Sequence, residues 1–253
     1  MHPILARIGP LYIYSYGLMV AIGFAAATLL AYNKASEFGI NRDKIIDFGI
    51  VILLGGIIGA RALYVILNLQ YYIKNPLEIL NLTRGGLVWY GAFLSGLIAG
   101  TWFVRKNKID FWTMGDLFAP YIVLAQAFGR VGCLLNGCCY GSVSSPGFIL
   151  GVVFPSESVL RHPTQVYSAI VLLLIFIILR LWQEKGRFKG QIFLGYLIFY
   201  SMSRFSLEFL RGDNPKDCFG FTISQMISIV IFIICITVFV QRLLKWKHSS
   251  KSV

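Results

Sequence analysis

The chain has 253 residues, of which 57% are hydrophobic and only 13% charged, with mean hydropathy +0.72. A water-soluble domain of this length cannot bury that much apolar surface, so a soluble globular protein is excluded. The formal charge of +12 raises nucleic acid as a partner, but the basic residues stand in short clusters beside apolar runs, where membrane topology and anionic headgroups account for them.

Uncharged or nearly uncharged runs recur at bilayer-spanning length. Taken in order they predict about seven transmembrane helices, over residues 11–33, 48–70, 85–104, 112–132, 163–182, 190–210 and 221–241. The expected fold is an all-α polytopic membrane protein, a single integral-membrane domain over residues 1–253 with small outer-side loops. The first run lacks a positive segment ahead of it and reads as a retained span rather than a cleaved signal peptide. The longest loop, about residues 137–162, is rich in Gly, Ser and Pro turn signals, and no internal repeat interrupts the chain. Lys34, Arg42, Lys44, Arg105, Lys106, Lys108 and the basic groups of 180–189 and 242–251 fall on one side; Arg7, Lys74, Arg84, Arg161, Arg211 and Lys216 fall on the other. Basic residues in short loops are retained in the cytoplasm, which predicts the N-terminus outside and the C-terminus inside.

Ionisable residues within spans are costly and mark candidate sites. Arg61 lies roughly 21 Å into the second span at 1.5 Å per residue, in the outer half of the core. Arg204, Glu208 and Arg211 follow at spacings of four and three, on one face of the sixth span as it rises outward. Arg130 closes the fourth span at the same level, and Tyr16 and Tyr90 stand in the first turns of spans that start outside. Three arginines within the spans against one nearby acid leave surplus positive charge, which suits a phosphate held bidentately. A phospholipid headgroup is the obvious anion. Each of these residues has a structural alternative: Arg204–Glu208 as a simple ion pair, and Arg61 bound to backbone carbonyls between helices. Asp116, at the inner end of the fourth span, reads as a favourable helix-start charge.

The stretch Gly129-Arg130-Val131-Gly132-Cys133-Leu134-Leu135-Asn136-Gly137-Cys138-Cys139-Tyr140-Gly141 breaks the membrane pattern. With it stand Tyr16-Gly17-Leu18-Met19, Gly85-Gly86-Leu87-Val88-Trp89-Tyr90-Gly91, Arg161-His162-Pro163-Thr164-Gln165-Val166-Tyr167 and Arg204-Phe205-Ser206-Leu207-Glu208-Phe209-Leu210-Arg211. In these motifs and their order the chain resembles the bacterial prolipoprotein diacylglyceryl transferases, over nearly its whole length. The resemblance implies an enzyme that moves the diacylglyceryl group of phosphatidylglycerol onto the lipobox cysteine thiol of prolipoprotein signal peptides. That is the first step of lipoprotein maturation, in the bacterial cytoplasmic (inner) membrane with the site toward the outer leaflet. No metal and no cofactor is implied.

The family's signature arginine matches Arg130, its Arg-x-x-x-Glu pair matches Arg204 and Glu208, and Asn136, Gly141, Tyr16 and Tyr200 match further family positions. The catalytic candidates are therefore Arg130, Arg204, Glu208 and Tyr90. The candidates for substrate binding are Arg130, Tyr16, Arg61, Asn136, Gly141, Tyr200 and Arg211. The sequence departs from the pattern at Tyr90, Cys133, Cys138 and Ser168, where the family usually has His, Asn, Glu and Glu. Tyr90 is then the candidate base, although an unperturbed phenol pKa near 10 must fall for that task. Loss of the base would instead suit a non-catalytic lipid- or lipoprotein-binding paralogue. Buried arginines also suit a small-anion or lipid transporter, against which the absence of a repeat counts. Cys133, Cys138, Cys139 and Cys218 gather on the outer side, where disulfides persist in an oxidising compartment. Small apolar packing is the expectation for them ahead of zinc, for which His162 is the nearby histidine.

Overall fold

The computed structural model describes residues 1–9, 11–81, 85–145, 147–154, 158–212 and 220–249, so Arg84, Lys216, Cys218 and Lys251 lie outside the described residues. The helices gather into two compact units, Met1–Ala31 with Gly115–Val253, and Tyr32–Met114. A helix forms at each of the seven expected stretches. Five are long and apolar enough to cross a membrane, and the protein is a multi-pass, mostly helical membrane protein.

The larger unit opens on a hairpin of β1 (Ile4–Ile8) and β2 (Leu11–Tyr14), antiparallel with Arg7 opposite Tyr12. This shortens the expected first span. Leu11–Tyr14 are apolar enough to read as its start, but they pair with β1, and α1 (Ser15–Lys34) begins where Ser15 N–H and Oγ both bond Pro3 O at 2.9 and 3.2 Å. The other long helices of this unit are α5 (Phe111–Asn136), α6 (Thr164–Gln183), α7 (Gln191–Glu208) and α8 (Ile223–Ser249). Ala119, Val123 and Ala127 recur every four residues on α5, and meet Leu172, Ile175 and Leu179 of α6 and Ile192 and Tyr196 of α7 in one buried cluster. A part-buried bond from Gln126 Nε2 to Tyr196 Oη, 3.0 Å, ties α5 to α7 beside it.

Asp116 has a different task from the one its position suggests. Six residues into α5, it accepts from the backbone N–H groups of Gly190, Ile192 and Phe193 at 2.6, 2.9 and 2.9 Å. It therefore caps the N-terminus of α7, a helix-start charge for a neighbouring helix rather than its own. Gln183 at the end of α6 donates to the carbonyls of Asp116 and Leu117, which completes the anchor of α5, α6 and α7 at this end.

The smaller unit holds α2 (Arg42–Leu67), the short α3 (Leu69–Lys74), and α4 (Trp89–Lys106). Asn41 caps α2 by accepting from Asp43 N–H at 2.9 Å. Close approach of α2 and α4 runs through Gly59 and Gly91: a Cβ on Gly59 would collide with Ser95, and one on Gly91 with the Gly59 carbonyl. Small residues at such a contact let helices pack where lipid gives no hydrophobic drive. Large apolar side chains such as Ile58 and Ile98 face outward.

In the loop between α5 and α6, β3 (Val152–Val153) pairs with β4 (Leu160–Arg161). Isolated bridges link Val143 to Arg161 and Gly141 to Arg211 at the end of α7.

Candidate active site

The last turns of α7 carry an ion pair embedded in a capping arrangement. Arg204 Nη1 lies 2.9 Å from Glu208 Oε2, and the Glu208 side chain is fully buried. A charge so placed needs its partners, because only pairing and hydrogen bonds offset the solvation it gives up. The second carboxylate oxygen, Glu208 Oε1, accepts a hydrogen bond from Thr222 Oγ1 at 2.9 Å. Thr222 directly precedes α8 and forms a capping box with Gln225: Thr222 N–H donates to Gln225 Oε1 at 3.0 Å, and Gln225 N–H to Thr222 Oγ1 at 3.3 Å. The positive end of α8 thus faces Glu208. Arg204 also donates from Nη2 to Ser224 Oγ at 3.0 Å, so both terminal nitrogens are held in place.

Beside this pair is a small cleft lined by Arg130 of α5, Ser168 of α6, and Tyr200, Ser203 and Arg204 of α7. Arg130 is half-buried there and has no hydrogen-bond or ion-pair partner among the described residues. Arg204 lies within electrostatic reach of Arg130 and Arg211 as well as Glu208. Among the described residues the cleft is lined by two guanidinium groups, Arg130 and Arg204, with Glu208 paired to the second, which leaves positive charge facing it. A fork with unused donors in such a field is suited to a phosphate.

One turn beyond Arg130, the sulfur atoms of Cys133, Cys138 and Cys139 all lie within 4.8 Å of one another. All three are free thiols, as is Cys235 in α8. Tyr16, on the first turn of α1, is close enough to interact electrostatically with these three and with Arg130. Asn136 ends α5, and the Cys138 thiol donates to Cys133 O at 3.7 Å. The backbone of the cysteine loop is fixed from α6, where Gln165 Nε2 donates to Cys138 O at 2.7 Å and Thr164 Oγ1 to Cys139 O at 3.0 Å. Hydrogen bonds from Cys133 and Cys138, with Arg211 and Arg130 nearby, hold the Cys139 thiol well below the usual thiol range, while burial pushes Cys138 up.

Gly141 packs where nothing larger fits: a Cβ there would lie 2.6 Å from Leu210 O and 2.8 Å from His162 Cβ. It fixes the loop against the end of α7, with its N–H on His162 O at 2.8 Å, which brings Arg211 to the site through backbone pairing. Glycine here serves close approach between protein segments. His162 turns its Nδ1 to Tyr167 Oη, 3.4 Å away.

Arg61 and Tyr90 belong to the smaller unit. Arg61 is 8% exposed and donates to five backbone carbonyls: Nε to Ile79, Nη1 to Gly85 and Gly86, Nη2 to Glu78 and Asn81, at 2.6–3.2 Å. A guanidinium has five N–H donors, so all are used. Arg61 takes a loop-holding role in place of the headgroup contact expected from the sequence, with its charge above the rings of Tyr64 and Tyr72. Tyr90 is 69% exposed on the first turn of α4, edge-on to Trp89 at 5.4 Å.

Of the candidates, the larger unit therefore groups Arg130, Arg204 and Tyr200 around one cleft with Glu208 paired to Arg204, Tyr16 and Asn136 at helix ends, and Gly141 and Arg211 in loops. Sequence reasoning missed Thr222, Ser224 and Gln225, although Thr-x-x-Gln before an apolar run is a legible capping signal. It quoted Thr164 and Gln165 without a role.

Fold and cleft together define a multi-pass membrane protein with an arginine-lined cleft between α5, α6 and α7. The sequence pattern of the prolipoprotein diacylglyceryl transferase family matches residues 3–241, and the chain belongs to that family. Among curated relatives, the phosphatidylglycerol–prolipoprotein diacylglyceryl transferase of Clostridium tetani (strain Massachusetts / E88) is 38% identical over 244 residues, covering 94% of this chain and 97% of the relative. A protein of Clostridium perfringens (strain 13 / Type A), named as the same transferase with the number 2, is 37% identical over 239 residues, 92% of each chain. The transferase of Clostridium novyi (strain NT) is 36% identical over 259 residues, 99% of this chain and all of the relative.

Proposed function

We propose that this protein transfers the diacylglyceryl group of phosphatidylglycerol to the lipobox cysteine thiol of prolipoproteins, the first step of lipoprotein maturation. The Arg130 guanidinium, without a hydrogen-bond or ion-pair partner among the described residues and in a cleft beside the Arg204–Glu208 pair, is the observation that carries this reading. Family membership and the names of the relatives supply the substrates.

The reaction needs a held phosphate leaving group and a thiolate nucleophile. Arg130 grips the phosphate with donors that no described side chain uses, and stabilises the charge that grows on the leaving oxygen. Arg204, kept in place by Glu208 and Ser224, adds positive potential from the facing wall. Tyr200, Tyr16 and Asn136 are the candidate contacts to headgroup oxygens, and Arg211 lies within electrostatic reach of Arg204. Tyr90 stands where the family usually has histidine and is the candidate base on that ground. The remaining two long helices, α4 and α7, 18 residues each and less apolar than the other five, complete seven spans with the N-terminus outside. The site then opens to the outer leaflet of the bacterial cytoplasmic membrane.

The test is mass spectrometry of a lipobox peptide incubated with the detergent-solubilised protein and phosphatidylglycerol. A diacylglyceryl adduct on the peptide cysteine, lost in Arg130→Ala, is expected. No adduct with phosphatidylglycerol binding intact overturns the reading in favour of a binding paralogue.

A further inference from the structure

The transfer chemistry above gives no role to Cys133, Cys138 and Cys139, yet the structure gathers their sulfur atoms within 4.8 Å of one another. A disulfide would use two of three. A thiophilic metal ion uses all three: tetrahedral zinc with Zn–S bonds of about 2.3 Å sets sulfur–sulfur distances of about 3.8 Å. The cluster needs to close by no more than about 1 Å to share one ion.

Its scaffold is built for fixed placement. Cys133 stands on the last turn of α5, and Cys138 N–H returns to Cys133 O at 3.1 Å, folding the loop back over that turn. Cys139 holds φ at 63°, a left-handed conformation that a side chain rarely adopts and that surrounding structure must enforce. Thr164 and Gln165 enforce it from α6 through the carbonyls of Cys139 and Cys138. Among the described residues, only these three thiols come together as a set of potential ligands. His162, the fourth ligand considered from the sequence, instead directs its Nδ1 to Tyr167 and its ring to Phe148, 4.9 Å away. Three protein ligands with a fourth position open is the pattern of a catalytic rather than a structural zinc site.

Location gives the open position a purpose. Arg130 precedes Cys133 by one helical turn, and Arg130 and Arg211 both act electrostatically on Cys139. A dication with three thiolates carries net charge −1, which these arginines offset. We propose that Cys133, Cys138 and Cys139 bind a thiophilic divalent cation of the zinc class, and that its open position takes the acceptor cysteine of the prolipoprotein. This rests on the transferase reading and deepens it. A thiol is deprotonated on coordination, its proton passing to water. The sulfur electron pair forms the S–C bond to the glycerol carbon as the C–O bond to phosphate breaks. That bond's electron pair leaves on the phosphate oxygen, beside Arg130. The thioether product no longer carries charge and leaves the metal. No oxidant or reductant is consumed.

Cobalt(II) replaces zinc as the probe, added to the full-length, reduced, metal-stripped protein in detergent. The expected result is uptake of one equivalent with a thiolate-to-cobalt charge-transfer band, absent in Cys138→Ser and Cys139→Ser. A lipobox peptide then shifts the visible cobalt bands, and the same peptide with serine for cysteine does not. Because stripped and loaded states are compared on one wild-type protein, poor folding of a variant does not decide the outcome. No uptake by protein whose three thiols titrate as reduced overturns the proposal, and uptake without a peptide-dependent shift overturns its catalytic part. Zinc-loaded protein should form the lipid adduct at least about tenfold faster than stripped protein. Equal rates overturn the metal proposal and leave the transferase standing. No adduct from either form removes the transferase reading and this proposal with it.

Discussion

Arg130→Lys separates charge from geometry at the centre of the cleft. The side chain has no protein partner to lose among the described residues, so the substitution should leave the fold nearly untouched. What changes is the fork: an ammonium offers a point charge where the guanidinium offers two parallel donors. Losing one charge-assisted hydrogen bond to the phosphate costs about 1.5–3 kcal/mol, or about 10- to 150-fold in rate where that bond strengthens in the transition state. Steady-state transfer to a lipobox peptide, measured against phosphatidylglycerol concentration, reads this as a fall in kcat with a smaller change in KM. Melting temperature in detergent should match the wild type. Near-normal kcat refutes bidentate phosphate binding, and a large melting shift with unchanged kcat shows that Arg130 is structural.

Other side chains lead to different signatures. Glu208→Gln keeps the volume and the bond from Thr222 but removes the partner of Arg204, whose side chain is 22% exposed; the expected destabilisation is about 2–3 kcal/mol, below the range for fully buried pairs, together with weakened transfer. Unchanged melting and transfer would show that the pair contributes nothing as a unit. Arg61→Lys replaces at most three of five donated bonds, a loss of about 2–4 kcal/mol that appears as a lower melting temperature. A raised KM for phosphatidylglycerol with unaltered melting would return Arg61 to the lipid site. Tyr90→Phe should lower transfer by about 100-fold in metal-stripped protein and far less in zinc-loaded protein; equal losses in both would make Tyr90 the base in every state.

The seven helical stretches and the Arg204–Glu208 pair were legible because both follow from local period: apolar length for one, a spacing of four for the other. Arg130 was legible through its place at a span end rich in glycine. What escaped depends on contacts that no short window carries. The acceptors of Arg61 are backbone carbonyls 17 to 25 residues downstream, and carbonyls look alike in any sequence. Asp116 caps a helix start 74 residues away. Leu11–Tyr14 join a span in composition and a hairpin in space, since only pairing with Ile4–Ile8 distinguishes the two. The cysteine cluster lay in between: its members were visible as a group, but their convergence requires the fold-back at Cys138 and the left-handed turn at Cys139.

The most direct test of the account is the mass of a lipobox peptide after incubation with wild-type protein and phosphatidylglycerol, beside the Arg130→Ala variant. The account predicts a diacylglyceryl thioether on the peptide cysteine from the wild type and none from the variant. An unmodified peptide with wild-type protein that still binds phosphatidylglycerol, or equal modification by both proteins, would contradict it.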